Sequence, residues 1–237
     1  MPSEKPIFYA HHISNHLAFL NSEESQHALK VLRLKPLNEV MVIDGIGNFY
    51  EGQIESISKK ETTVLISEPI EDVKSLSREL HLAVAPTKNN SRMEWLLEKM
   101  TEVGLRSFTP VITQHTIRRN INSDRLQKIL LAATKQSQRA LIPKLNPLTI
   151  FDDFIRQPWE GKKYIAHFDP TKSKEWASIK LTNRKVCILI GPEGDFSLEE
   201  LKLAIQAGFE PISLGPNRLR TETAGLYAGI VYQTKLL

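Results

Sequence analysis

The chain has 237 residues, 41% of them hydrophobic and 24% charged, with a formal net charge of +4 at pH 7. That length suits one large domain or two modest ones, and no apolar run approaches the roughly 20 residues that span a bilayer. The single cysteine, Cys187 in "VCILI", excludes an intrachain disulfide and a cysteine-rich zinc site. The opening MPSEKPIFYAHHISN carries no apolar signal core, so a cytoplasmic protein is expected.

The first third reads as β-rich. Residues 22–36 (SEESQHALKVLRLKP) read as a short helix stopped by Pro36. On a 3.6-residue repeat, Gln26, Lys30 and Arg33 fall within about 60° of one another, a face that is either RNA-facing or merely exposed. Next come EVMVIDG and NFYEGQIESI around a GIGN turn, then ETTVLISEPI at hairpin distance, which predicts a three-stranded meander. DGIGNF imitates a cofactor-binding glycine loop, but a strand follows it where a helix should, so a hairpin turn is expected. His12 and His16 stand four residues apart with no carboxylate between them, and no metal site is expected. The polar stretch IEDVKSLS at 70–77 reads as a linker, dividing the chain into domains 1–72 and 73–237.

Beyond it, strands alternate with helices. HLAVA leads to the helix SRMEWLLEKMTEV, closed by Gly104. FTPVIT leads to the long helix SDRLQKILLAATKQSQRA. KYIAHF, KVCILI, the helix FSLEELKLAIQAGF, the strand PISLG and a final helix complete the series. Such alternation predicts an α/β domain with a mainly parallel sheet. Residues 113–144 carry seven cations (Arg118, Arg119, Arg125, Lys128, Lys135, Arg139, Lys144) against Asp124, a local charge of +6 that leaves the rest of the chain near −2. That is the footprint of a polyanion partner, or a solvated helix face.

Two junctions share one plan: ILIGPEGDFSLEE and ISLGPNRLRTETA each run strand, Gly-Pro, polar loop, helix. Ser197 and Glu200 predict a capping box, and Thr221 is the expected cap of the last helix. Ligands of parallel α/β sheets bind beyond the carboxyl ends of the strands, so both loops, with His167 at the end of YIAHF, belong to the expected functional edge. Phosphate-loop, dinucleotide and G-x-S-x-G motifs are absent. What remains is Arg218, Arg220, Thr221, Glu222 and Thr223 crowded at one helix mouth, which implies a mutual network or a ligand.

LIGPEGDFS followed by LGPNRLRTETA resembles the RsmE family of 16S ribosomal RNA methyltransferases, in the SPOUT superfamily. HALKVLRLKPLNEV, TKNNSRMEWLLEKMTEVG and QSQRALIP resemble further family motifs, so the similarity covers nearly the whole chain. Asp195 and Gln138 depart from it, standing where family members usually have Gly. The resemblance implies a PUA-like β-barrel that binds RNA, a SPOUT α/β knot that holds S-adenosylmethionine, and a metal-free homodimer, with no membrane partner. The implied reaction is methylation of N3 of one uridine in 16S rRNA within the small ribosomal subunit. Cofactor contacts are then expected from Ile190, Gly191, Glu193, Gly194, Leu214, Gly215, Leu219, Thr221 and Thr223. Arg220 would stabilise negative charge and Glu222 would take the proton, unless the two form a structural ion pair. Arg139 would reach the target across the dimer interface, and Lys30, Arg33, Arg118, Arg119 and Arg125 would contact RNA. Methylation of a ribose 2′-OH, or a non-catalytic RNA-binding assembly factor, are the other readings.

Overall fold

The computed structural model describes residues 5–73, 78–167 and 173–235, so part of the expected linker, 74–77, lies outside the described residues. The chain divides into two compact units, Met1–Leu76 with Thr134–Ile142, and Ser77–Ala133 with Pro143–Leu237.

The first unit contains β1 (Ile7–Ser14), β2 (Leu17–Leu20), α1 (Ser22–Gln26), β3 (Glu39–Ile43), β4 (Asn48–Ile57), β5 (Thr62–Ile66) and β6 (Ile70–Glu71). The expected meander is present as β3, β4 and β5. Its hydrogen bonds continue from β5 through β2 and β1 back to β3. This five-strand circuit closes into a barrel, with β6 added to β4, and closure removes the free edges that an open sheet exposes. Alternate residues point inward, and Phe8, Ala18, Leu20, Val40, Val42, Ile54 and Val64 form the barrel core with no exposed surface. The hairpin β1–β2 was not expected; it turns at Asn15 and His16, both at positive φ, which separates His16 from the strand that carries His12.

The expected helix after β2 is shorter than its sequence suggests. Asn21 caps it through the Glu24 N–H at 3.0 Å, and a π-helical turn, His27–Val31, ends it. Lys30 bonds Gln26 at 3.1 Å, as one face requires. Arg33 lies past the helix end at φ 53°, so it does not continue that face. At the GIGN turn the Asp44 carboxylate accepts from the N–H groups of Ile46, Gly47 and Asn48 at 2.9–3.1 Å. This is a hairpin, as the following strand had indicated. Residues 134–142 belong to this unit: Lys135 pairs with buried Glu24 at 2.5 Å, the Ala140 N–H donates to Asp72 at 3.1 Å, and the Ile142 N–H to the Gly45 carbonyl at 3.0 Å.

The second unit is α/β. Its strands are β7 (Glu79–Val84), β8 (Ser107–Ile112), β9 (Lys144–Leu145), β10 (Thr149–Ile150), β11 (Lys162–Ala166), β12 (Lys174–Glu175), β13 (Lys185–Ile190) and β14 (Glu210–Ser213). They form one sheet in the order β10-β8-β7-β13-β11-β14-β12, with β9 beside β8. Every pairing in it is parallel, as the alternation predicted. The helices are α2 (Asn90–Val103), α3 (Ser123–Gln136), α4 (Phe151–Arg156), α5 (Leu198–Gln206) and α6 (Thr221–Thr234), and α3 runs on into the first unit. Central strands of a sheet covered on both faces read as continuous apolar runs, which is why β13 (KVCILI) is buried along almost its whole length. α6 packs on α2 and β7. It comes close because Gly225 and Gly229 present no side chain: a Cβ on Gly225 would meet Leu96 at 3.1 Å, and one on Gly229 would collide with Met100.

Candidate active site

Both Gly-Pro loops leave the carboxyl ends of strands two places apart in the sheet. The first follows β13 and the second follows β14, with β11 lying between those strands in the sheet. Between the loops is a pocket of about 360 Å³. Its apolar walls are Ala166, Ile190, Leu214, Leu219 and Ala224, and its polar groups are His167, Glu193, Asp195, Asn217, Arg218 and Thr221.

The loops are tied to each other and to their surroundings. The Arg218 guanidinium donates to the Glu193 carbonyl at 3.2 Å, the Lys88 N–H to the Glu193 carboxylate at 3.2 Å, and the Thr221 hydroxyl to the Gly191 carbonyl at 3.1 Å. Thr221 was expected to cap α6. Arg220 occupies that position without a side-chain cap bond, because the buried Thr221 hydroxyl is committed to the neighbouring loop. The Ser197–Glu200 capping box is present as expected. Glu200 also accepts the Gln114 N–H at 2.7 Å, so the start of α5 anchors the segment that leaves β8.

Asp195 is the centre of a second small network. Its backbone is left-handed, φ 63°, a conformation that costs most side chains but is open to Asp through local hydrogen bonding. Its Oδ1 accepts the Phe196 N–H at 2.7 Å, its Oδ2 lies 3.1 Å from His167 Nδ1, and its carbonyl lies 2.9 Å from His115 Nδ1. Two imidazoles therefore converge on one loop residue of the pocket.

Of the expected cofactor residues, Ile190, Gly191, Glu193, Leu214, Gly215, Leu219 and Thr221 line the pocket. Gly194 and Thr223 do not: Gly194 packs on His115 and Thr223 is exposed. Arg220, exposed, and Glu222, 7% exposed, are also outside the lining. No Arg220–Glu222 pair forms. Instead Glu222 Oε1 lies 3.6 Å from Arg92 Nε on α2, and its buried Oε2 has no hydrogen-bond partner among the described residues. Arg139 belongs to the first unit, where burial lowers its pKa and nearby Asp72 opposes that shift.

The basic stretch is partly neutralised. Arg125 makes a two-pronged pair with Glu94 at 2.5 and 2.7 Å, which lowers the Glu94 pKa. Arg118 bonds Asn90. Arg119 is exposed, with no carboxylate partner among the described residues. Arg92, His115 and Asn217 went unremarked in the sequence. Only Asn217 carried a signal there, its place in the second Gly-Pro loop.

A parallel sheet whose carboxyl-edge loops close on one pocket, in a chain that also carries a small closed barrel, defines an α/β ligand-binding protein with a separate accessory unit. Residues 74–233 match the family model for an RNA methyltransferase domain, and residues 20–67 the model for an RNA methyltransferase PUA domain. The chain belongs to the RNA methyltransferase family, with a SPOUT-type α/β fold preceded by a PUA-like barrel. It is 32% identical over 221 residues to a ribosomal RNA small subunit methyltransferase E of Rickettsia conorii, covering 92% of this chain and 89% of that protein. It is 30% identical over 228 residues to the protein of that name from Buchnera aphidicola, covering 93% and 88%. Among solved structures it matches a ribosomal RNA small subunit methyltransferase E from Neisseria gonorrhoeae bound to S-adenosyl methionine. The TM-score is 0.87, with 26% identity over 98% of each chain.

Proposed function

We propose that this protein transfers a methyl group from S-adenosylmethionine to N3 of a uridine in 16S rRNA of the small ribosomal subunit, acting as a homodimer in the cytoplasm. The observation that carries the reading is the pocket, because both Gly-Pro loops line it at the functional edge of the sheet. Its residues fit the cofactor. Ile190, Leu214, Leu219 and Ala224 offer apolar walls to a flat base, and Glu193 and Asp195 put two carboxylates beside a cationic ligand. At Gly215, φ 105° disfavours any side chain, so the loop backbone itself can meet the ligand.

The bound cofactor supplies an electrophilic methyl carbon on its sulfonium. The protein's task is to align uracil N3 with that carbon, to remove the N3 proton and to stabilise the anion left on the flanking carbonyls. Arg220, at the start of α6 beside the pocket residues Leu219 and Thr221, is assigned the anion, assisted by the positive end of the helix dipole. Glu222 is assigned the proton: its Oε2 is free to accept, while Arg92 holds Oε1. Gly194 and Thr223 shape the two loops next to the lining residues. Arg139 is assigned to the target nucleotide across the dimer interface. Residues 1–72 serve as the RNA-binding domain, with Lys30 and Arg33, and residues 73–237 as the methyltransferase domain, where Arg118, Arg119 and Arg125 meet phosphates.

The test is methyl transfer from labelled cofactor to small subunits lacking the modification, followed by digestion and nucleoside mass spectrometry. 3-Methyluridine is the expected product. A 2′-O-methylated nucleoside would move the reaction to ribose, and absence of both cofactor binding and transfer would overturn the enzyme reading.

A further inference from the structure

A second cavity, of about 250 Å³, lies at the other edge of the parallel sheet. The strand residues that line it, His81, Ser107, Lys163 and Cys187, stand in the first halves of β7, β8, β11 and β13. Its aromatic wall comes from Phe154 on α4, Trp159 just beyond it and Phe209 ahead of β14. Lys144, Gln157 and Pro158 are exposed and form its mouth. Neither Gly-Pro loop reaches it.

Its polar groups are mostly donors. Asn146 Nδ2 donates to Thr109 Oγ1 at 2.9 Å, and that oxygen lies 3.1 Å from His81 Nε2. Thr109 is buried and its hydroxyl hydrogen has no other acceptor among the described residues, so that hydrogen is assigned to Nε2. The imidazole proton then sits on Nδ1 and donates to Ser107 Oγ at 2.6 Å. The Ser107 hydroxyl hydrogen is left over. The Trp159 indole N–H is buried and has no hydrogen-bond partner among the described residues. Lys144 adds a positive charge, felt by His81, whose pKa falls to about 4 through burial first and Lys144 second. No carboxylate is among the described residues that line the cavity. Unpaired buried donors are costly unless something accepts from them, and here donors and the two lysines of the lining, Lys144 and Lys163, share the cavity with aromatic rings and with no anion among the described lining residues.

We propose that this cavity binds a small single-ring anion, whose carboxylate or phosphate meets Lys144 and the Ser107 hydroxyl while its ring lies on the Phe154–Trp159 wall within reach of the indole N–H. The volume is below the usual range for drug-sized ligands, as a single ring requires. The assignment does not depend on the methyl-transfer reading, and its test needs no methyl transfer.

The test uses the full chain labelled with ¹⁵N, whose three tryptophans (Trp95, Trp159 and Trp176) give three indole resonances, the Trp159 signal being identified with Trp159→Phe. Benzoate and phenyl phosphate are titrated separately, with neutral benzamide and inorganic phosphate as controls. The expected result is a saturable shift of the Trp159 indole by one or both ring anions, the stronger of them identifying the anionic group. Exposed Lys144→Gln should weaken that binding roughly tenfold, the scale of one charge-assisted contact. An equal response to benzamide would overturn the proposal, as would inorganic phosphate binding as tightly as the ring anions. So would an unchanged affinity in Lys144→Gln, or no saturable shift with either ring anion.

Discussion

Asp195 holds a left-handed backbone while its carboxylate binds the Phe196 N–H and faces His167. Asp195→Gly would remove the backbone penalty, on the order of 1 kcal/mol, and lose a hydrogen bond of similar size. Thermal unfolding should therefore shift little. The pocket should respond more clearly, because one of its two carboxylates is lost. Calorimetry should show affinity for the cationic cofactor falling by up to about fivefold, the limit for a partly exposed charge, with affinity for its uncharged thioether product unchanged. His81 gives a second test. Its folded pKa of about 4 lies below the ordinary 6.5, so the folded state binds fewer protons than the unfolded state between those values. The stability it contributes is complete above pH 6.5 and is lost as the pH falls toward 4, at up to about 1.4 kcal/mol per pH unit. Urea unfolding of His81→Gln should lack that part of the slope. At this scale the sequence showed the polar helix mouth but not its wiring. Arg220 and Glu222, two residues apart, invite a pair, yet the first turn of α6 sends Glu222 back to Arg92 on α2, some 130 positions earlier in the chain, and no local pattern marks that partner.

Ser197 fixes the start of α5, which carries the first Gly-Pro loop into the second unit's core. Ser197→Ala removes the acceptor for the Glu200 N–H and frees Glu200, which also holds Gln114. Chemical denaturation should report a loss of about 1–2 kcal/mol, and Ser197→Asp should recover most of it. This cap was legible because both partners lie within four residues of each other. The parallel sheet was legible for the same kind of reason, since each of its main strands is a short apolar run beside a helix with a 3.6-residue repeat. The hairpin β1–β2 was not, because IFYAHHIS places His11 and His12 together across a register shift between Ala10 and His12, which breaks the alternation that marks a strand. Arg33 was misplaced because a π-helical turn has no sequence signature of its own. Strands β9, β10 and β12, two residues each, are too short to carry a period at all.

At the scale of the whole chain, charge separates the two tasks assigned to it. Arg118 and Arg119 belong to the basic stretch and are not among the residues that line the pocket. Arg118→Ala with Arg119→Ala should weaken RNA binding and flatten its dependence on log salt by nearly two units, one per lost phosphate contact. Cofactor affinity should not change; an unaltered salt slope would argue against those contacts. The pair of Lys135 with buried Glu24 ties residues 134–142 into the barrel, and Lys135→Met would leave that carboxylate buried without its cation. A loss of about 3 kcal/mol is expected by denaturant titration, most of it restored by adding Glu24→Gln. That tie also sets the order of events during synthesis. The barrel strands leave the ribosome first, but their partners at 134–142 follow only after α2, β7 and β8 have been made. At about 5–20 residues per second the barrel waits several seconds for its last segment. A nascent chain stalled short of residue 142 should therefore be open to protease within its first 76 residues, and one stalled well beyond it should resist.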